Sequence, residues 1–372
     1  MHYKYKMVKN PIQSTFNDLK LFEQNNYCYD YLKNRFTDKS EEELCEHSEI
    51  ASSCFRQASE YYNAAILSTI STSPLLYSYS LNNLLKGVCY LISFDEKILK
   101  GFKAHGFKVD SSFLIGDDII NSKVTIMKQE GAVHSLLRLY DNYLEKQEIS
   151  VYKILRHIPD LDDIYFRTIK SVSFISKDRQ DGENVFYTFG NRIDDESYNI
   201  FKEFHLIGNI NPNYDECTFY TTMASQKFFD EKDFKEENIY YKSYMNIPDM
   251  FEEGLIDINI SFYCYLLIMS YGMMVRYNAN IWEKYIDKKN STFSTLVELS
   301  IPNAVINFYY QMHYLLFDFY YEDESYNIND VKKIIKESTV DIMNNITNKI
   351  ESDNRQFGLS SRTILPWREN IR

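Results

Sequence analysis

The sequence is poor in the two residues that punctuate chains: it holds 11 glycines and 7 prolines in 372 residues, against roughly 12% combined in average usage. Sandwiches, propellers and doubly wound sheets need tight turns at short intervals, so this shortage argues against them and for a largely helical chain. An excess of positive charge is also missing. With 41 Lys and Arg against 53 Asp and Glu, the net charge is −12, which excludes a global field drawing the protein to nucleic acid and leaves room only for a local basic face. The six cysteines, at 28, 45, 54, 89, 217 and 264, include no CxxC pair, so neither a disulfide framework nor a zinc site is indicated. No metal and no cofactor is expected. The opening MHYKYKMVKNPIQ lacks an apolar h-region, giving the expectation of a cytoplasmic chain without a secretory signal. No apolar run reaches the roughly 20 residues of a bilayer span. Residues 260–275, ISFYCYLLIMSYGMMV, carry no charge, but they hold Ser261, Ser270 and three tyrosines between Asp257 and Arg276. They read as a buried core helix, and no membrane partner is expected.

What is abundant is aromatic: 32 tyrosines and 25 phenylalanines, in a chain whose 44% hydrophobic and 25% charged residues are ordinary for a globular protein. Over 13–35, Phe16, Leu19, Phe22, Tyr27 and Tyr31 recur at helical spacing, and Ser40 ahead of Glu41–Glu43 marks another helix start. Ser52 or Ser53 then reads as the cap of a helix with Phe55, Ala58, Tyr62, Ala65 and Thr69 on one stripe, ending near Ser71. Ser73-Pro74 opens the next, with Tyr77, Leu81, Leu84, Val88 and Leu91. These two form an antiparallel helical hairpin. Between 161 and 250 the period changes to two: Ile164, Phe166 and Thr168, then Val172 and Phe174, a polar loop with Asp181-Gly182, and Val185, Tyr187 and Phe189 predict a β-hairpin, with further strands at Cys217–Thr222 and Ile239–Tyr244. A second apolar helix follows Ser300-Ile301-Pro302. Residues 329–351 form a charged amphipathic helix with Val331, Ile335, Ile342, Ile346 and Ile350, and the last twenty residues fray. The predicted fold is mainly α with a small antiparallel β insertion, α+β overall. It has an N-terminal helical half (1–160), a β-rich insertion (161–250) and a C-terminal helical half (251–372) that packs with the first into one core.

Most catalytic signatures are absent: GxGxxG, GxSxG and HExxH do not occur. Gly101 to Lys108 has the two glycines of a P-loop, but Phe107 stands where the phosphate-binding Lys must be, so nucleotide binding is not expected there. Asp160, Asp162 and Asp163 cluster after a proline. A metal-dependent nuclease would also need an acidic-x-Lys on the next strand, and Ile175-Ser176-Lys177 lacks the acid. His105, in a Lys-rich loop between glycines, reads either as an acid–base or anion-binding group or as a cap for a helix C-terminal carbonyl. His134, at a helix start, reads as structural. Arg276 ends the apolar helix, where a cation suits the helix dipole. An Arg there must also find acceptors, which makes it a better site candidate than a surface Arg.

The runs Phe55-Arg56-Gln57-Ala58-Ser59-Glu60-Tyr61-Tyr62-Asn63-Ala64-Ala65, Ser73-Pro74-Leu75-Leu76-Tyr77-Ser78-Tyr79, Leu81-Asn82-Asn83-Leu84-Leu85-Lys86-Gly87, His105-Gly106, and Val275-Arg276-Tyr277 to Trp282 resemble, in order, the YaaC-like family of bacterial proteins. That family shows a Q-A-x-E-Y-Y core, a P-L-L-x-Y-Y turn, a helix ending L-x-K-A, an H-G, and a late R-Y-x-P-x-x-W. This chain departs at Ser78 (for the second Tyr), Gly87 (for Ala) and Ala279 (for Pro). The pattern is in turn similar to HEPN helical domains, whose late helix carries the ribonuclease signature R-x4–6-H. Lys86 and His105 match the first part of that pattern and Arg276 takes the place of its Arg. Six residues on stands Trp282, and indole cannot move the 2′-hydroxyl proton. The resemblance therefore implies a HEPN-like helical bundle that has lost its catalytic pair. It would be an interaction or regulatory protein in bacterial stress or phage defence, with a protein partner, weak RNA binding and self-association. The alternative it implies is a divergent, metal-independent ribonuclease or other enzyme using His105 and Arg276. Arg56, Lys86, His105, Arg276 and Tyr277 form the candidate ligand-binding set.

Overall fold

The computed structural model describes residues 5–110, 122–128, 130–144, 146–158, 161, 164, 174–181, 184–189, 218–221, 244–246, 258–287 and 293–323. After strand β1 (Tyr5–Val8), Asn10 opens helix α1 (Pro11–Leu21): its side chain accepts the Gln13 N–H at 2.9 Å, and Pro11 stands in the first turn, where a missing N–H costs nothing. The helical spacing over 13–35 resolves into two helices, α1 and α2 (Asn25–Arg35). Phe22 lies at the break, fully buried and stacked 5.2 Å from Phe55, so the turn is where an aromatic enters the core.

Helix α3 (Glu41–Ile66) starts at a capping box in which Ser40 and Glu43 satisfy each other's backbone N–H. It runs unbroken through Ser52 and Ser53, which the sequence places at a helix start. The Ser52 hydroxyl bonds back to the Glu49 carbonyl at 3.2 Å, as serines inside helices do, and no Gly or Pro interrupts residues 41–66. Helix α4 (Ser73–Ile92) follows, with Pro74 in its first turn, and packs along α3 as the predicted hairpin. A short α5 (Glu96–Leu99) leads to β2 (Phe107–Val109), β3 (Lys123–Ile126), α6 (Ala132–Arg138), β4 (Glu148–Ser150) and α7 (Val151–Arg156). Strands β2, β3 and β4 form an antiparallel sheet in that order, with Phe107 opposite Ile126 and Val124 opposite Ile149. This sheet lies in a segment the sequence assigns to a helical half; three- and four-residue strands are too short to show an alternation.

In the middle segment β5 (Phe174–Asp181) and β6 (Asn184–Phe189) pair as the expected hairpin, Asp181 opposite Asn184. Strand β7 (Thr218–Thr221) adds to β6, and β8 (Tyr244–Asn246) adds to β5 slightly later than the predicted 239–244. The alternation at 166–168, the helix at 329–351 and the last twenty residues lie outside the described residues. The chain divides into two units, Met1–Glu322 and Asp323–Arg372, and everything described here concerns the first.

Helices α8 (Ile260–Tyr277), α9 (Ala279–Ile286) and α10 (Ser294–Phe317) complete it. Helix α10 starts earlier than the sequence suggests and carries Pro302 inside. Nearby, the Asn303 side chain donates to the Leu299 carbonyl at 2.9 Å. From Ile260 to Val275 all but Met273 of α8 is buried, because α8 packs on α4 and α10, with α6, α7 and α9 also against it. No helix among the described residues is long and apolar enough to cross a membrane. Polar anchors tie the core together. The Ser80 hydroxyl donates to the Ala58 carbonyl at 2.7 Å and lies 2.6 Å from the Tyr309 hydroxyl, joining α3, α4 and α10. The Tyr265 hydroxyl donates to Asn82 at 2.9 Å, joining α8 and α4.

Three buried histidines set a pH dependence. Burial is the largest influence on His47, His134 and His313 and holds each below the ordinary histidine value. It outweighs even Asp18, whose carboxylate lies 3.0 Å from His313 Nε2, so that pair is a neutral imidazole donating to a carboxylate. The unfolded chain then binds more protons than the folded one below about pH 6.5, and stability falls as pH drops through that region. The urea midpoint should be flat between about pH 7 and 8 and decline between about pH 7 and 5, before Glu43 and Glu130, both held below the ordinary carboxylate value, begin to lose their partners. A midpoint unchanged over that range would contradict neutral burial of these rings.

Candidate functional site

The His105 loop is built by a backbone crossing. Residues Lys100–Lys103 form a single 3-10 turn. The carbonyls of Ala104 and His105 then accept the N–H groups of Ala132 and Val133, at 2.8 and 3.1 Å, which would otherwise be orphan donors at the start of α6. Gly106 adopts φ +82° and its carbonyl accepts the Met127 N–H at 2.9 Å. A side chain is excluded at Gly106 by this backbone and by His134 Nδ1, and at Gly131 by the Gly106 backbone itself. Gly101 lies against Ser135 and Gly131. The glycines that imitate a P-loop therefore serve a close crossing of two chain segments. His134, 4% exposed, fills the space beneath.

The crossing presents His105 outward. Its side chain is exposed and makes no hydrogen bond among the described residues, so it is not a helix cap. Desolvation by the surrounding protein, then the charge of Arg276, holds it below the ordinary histidine value. Arg276 is exposed at the end of α8, its guanidinium carbon 5.1 Å from the centre of the Tyr277 ring, which is itself 64% exposed. The two candidates for chemistry thus lie within electrostatic reach of each other, without a hydrogen bond between them. The other two cations are engaged elsewhere. Arg56 donates to the Glu23 carbonyl at 2.8 Å and to Ser53 at 3.1 Å. Lys86 Nζ lies 6.0 Å from the centre of the Tyr90 ring, one turn along its own helix. Arg276 is the one member of the candidate set whose charge is felt at His105. Among the described residues no group of three or more His, Cys, Asp or Glu side chains could hold a metal.

Trp282, six residues after Arg276, is fully buried on α9. Its indole N–H donates to the Ile70 carbonyl at 3.0 Å, and its ring centre is 5.2 Å from that of Tyr271. It clamps the α3–α4 turn to the end of α8. The sequence profile of the YaaC-like proteins matches residues 20–316. The chain belongs to the YaaC-like family. No curated protein and no solved structure matches it.

The three departures from the YaaC-like pattern have physical readings here. Ser78 is where α4 meets α8: a side chain on Gly272 would collide with Ser78, whose Cβ would lie 2.6 Å away. Gly87 accommodates the Phe55 ring, 2.8 Å from where its own Cβ would stand. Ala279 is the first residue of α9, a position where Pro serves equally well. One feature of this YaaC-like protein escapes sequence reading. A cleft of about 370 Å³ opens between α1 and α3, with Tyr309 of α10 at its floor. Ser59, Tyr62 and Asn63 carry helical spacing on α3, and Lys20 and Glu23 stand in the last turn of α1 and just beyond it, but spacing alone does not show that they face a cavity.

Proposed function

We propose that this YaaC-like protein is an interaction or regulatory protein on a HEPN-like helical core that has lost its catalytic pair, acting with a protein partner in the bacterial cytoplasm during stress or phage defence. The proposed organisation is two helical halves, 1–160 and 251–372, sharing one core around a β-rich insertion. The observation that carries the reading is Trp282. Where a ribonuclease of this pattern needs an imidazole near a 2′-hydroxyl, this chain has a buried indole committed to the Ile70 carbonyl, a group with no acid–base chemistry near neutral pH. The net charge of −12 adds that RNA binding should be weak and steeply salt-dependent.

The second reading, an enzyme, is favoured by the influence of the Arg276 charge on His105, which with desolvation keeps the imidazole neutral at pH 7 within the field of a permanent cation. Incubation of purified protein with total RNA in the absence of divalent metal separates the two. The expected result is intact RNA. Robust cleavage that disappears in Arg276→Ala and in His105→Ala would put the enzyme first, with His105 in the role that Trp282 cannot fill.

A further inference from the structure

We propose that the cleft between α1 and α3 binds a small aromatic zwitterion of the amino-acid class. Its volume of about 370 Å³ falls in the range of small-ligand sites. The floor is aromatic: the ring centres of Phe16, Tyr62 and Tyr309 lie 4.6, 4.7 and 5.2 Å from one another. It is also fixed in advance. The Tyr309 hydroxyl is held 2.6 Å from Ser80 Oγ, which donates to the Ala58 carbonyl at 2.7 Å, and at the mouth Arg56 holds the Glu23 carbonyl at 2.8 Å. A preformed aromatic floor orders little on binding.

The polar groups around that floor fall into two classes. Gln13 and Asn17 are engaged with each other at 2.9 Å. Lys20, in the last turn of α1, and Glu23, in the turn that follows it, line the same cleft with Ser59, Tyr62 and Asn63 on one stripe of α3, and among the described residues none of these five side chains makes a hydrogen bond or ion pair. Lys20 and Glu23 carry opposite charges three residues apart, yet they do not pair with each other. A ligand with a carboxylate and an ammonium on one carbon and a ring on a short arm satisfies all of this. The carboxylate meets Lys20, the ammonium meets Glu23, and the ring covers the floor. The Tyr62 hydroxyl, which burial pushes up to about 12, stays protonated and adds a hydrogen bond at the wall.

This inference goes beyond the interaction role and is independent of it: intact RNA in the assay above leaves it untouched, and its failure leaves Trp282 as it is. The test is ligand-observed NMR titration of the full chain with L-tryptophan, L-tyrosine and L-phenylalanine, then with N-acetyl-L-tryptophan, L-tryptophan amide and indole. Saturable binding of at least one amino acid is expected. Removing either ligand charge should weaken binding about tenfold, and removing both should weaken it further. Lys20→Met should weaken tryptophan and N-acetyltryptophan about tenfold and spare the amide; Glu23→Gln should weaken tryptophan and the amide and spare the N-acetyl form. Lys20 is exposed and Glu23 half-buried in the turn after α1, and an unchanged thermal unfolding curve verifies the fold. Absence of saturable binding by all three amino acids, equal binding of indole and tryptophan, or indifference to both substitutions overturns the proposal.

Discussion

Trp282→Ala should lower the unfolding free energy by at least about 4 kcal/mol. Truncating a large buried aromatic costs about 3–5 kcal/mol through lost transfer energy and the cavity left behind, and the Ile70 carbonyl would lose its indole donor, which adds part of a further 1–3 kcal/mol. Against a total stability of about 5–15 kcal/mol, that is enough to shift the urea midpoint strongly or abolish soluble expression. Trp282→Phe keeps a six-membered ring but loses the N–H together with the rest of the bicycle, so it should cost about 2–3 kcal/mol, less than alanine because the cavity left is smaller. Trp282→His tests the functional reading, because it writes the HEPN spacing from Arg276 back into the sequence. It should destabilise more than Phe and create no ribonuclease. The side chain at 282 points into the core at Ile70 and Tyr271, whereas Arg276 is exposed. A Trp282→Ala protein within about 1 kcal/mol of wild type would show that this clamp does not hold the α3–α4 turn.

The parts of the fold that local chemistry determines could be read in advance. Ser40 with Glu43, Pro74 in a first turn, the Asp181-Gly182 hairpin and the uncharged run at 260–275 each leave a short-range mark. Ser52 and Ser53 show the limit of such marks: a serine that caps a helix and one that bonds back to its own helix look alike until the register is known. The sheet of β2, β3 and β4 was hidden because its strands are short and joined by long connections. At the site, Gly101 and Gly106 were visible as glycines, but their purpose, a crossing against Gly131, is a long-range fact. The same holds for the influence of the Arg276 charge on His105, which no spacing in the sequence reports. The cleft of α1 and α3 depends on which side chains are left uncommitted, and no spacing rule reports that.

Restoring the family residue at position 78 should be destructive in this chain. In Ser78→Tyr a phenol would replace a buried hydroxymethyl group at the contact of α4 with Gly272. The ring has nowhere to go unless α8, buried along its length, moves away from α4. Overpacking by even a few atoms costs about 1–3 kcal/mol, and a whole ring between two core helices belongs at or beyond the upper end of that range. The Ser78 hydroxyl now satisfies itself on the Leu75 carbonyl at 2.7 Å, so no gain offsets the clash. Gly87→Ala, the other family residue, is the control with the opposite balance. Alanine gains about 1 kcal/mol of helix propensity over glycine, while its methyl meets the edge of the Phe55 ring at 2.8 Å, a side chain that can tilt only against Phe22, stacked 5.2 Å away. The net change should stay within about 1.5 kcal/mol of zero. Chemical denaturation of both variants decides it: a loss of about 3 kcal/mol or more for Ser78→Tyr beside a small change for Gly87→Ala means that this chain has traded the paired tyrosine for a closer approach of α4 and α8.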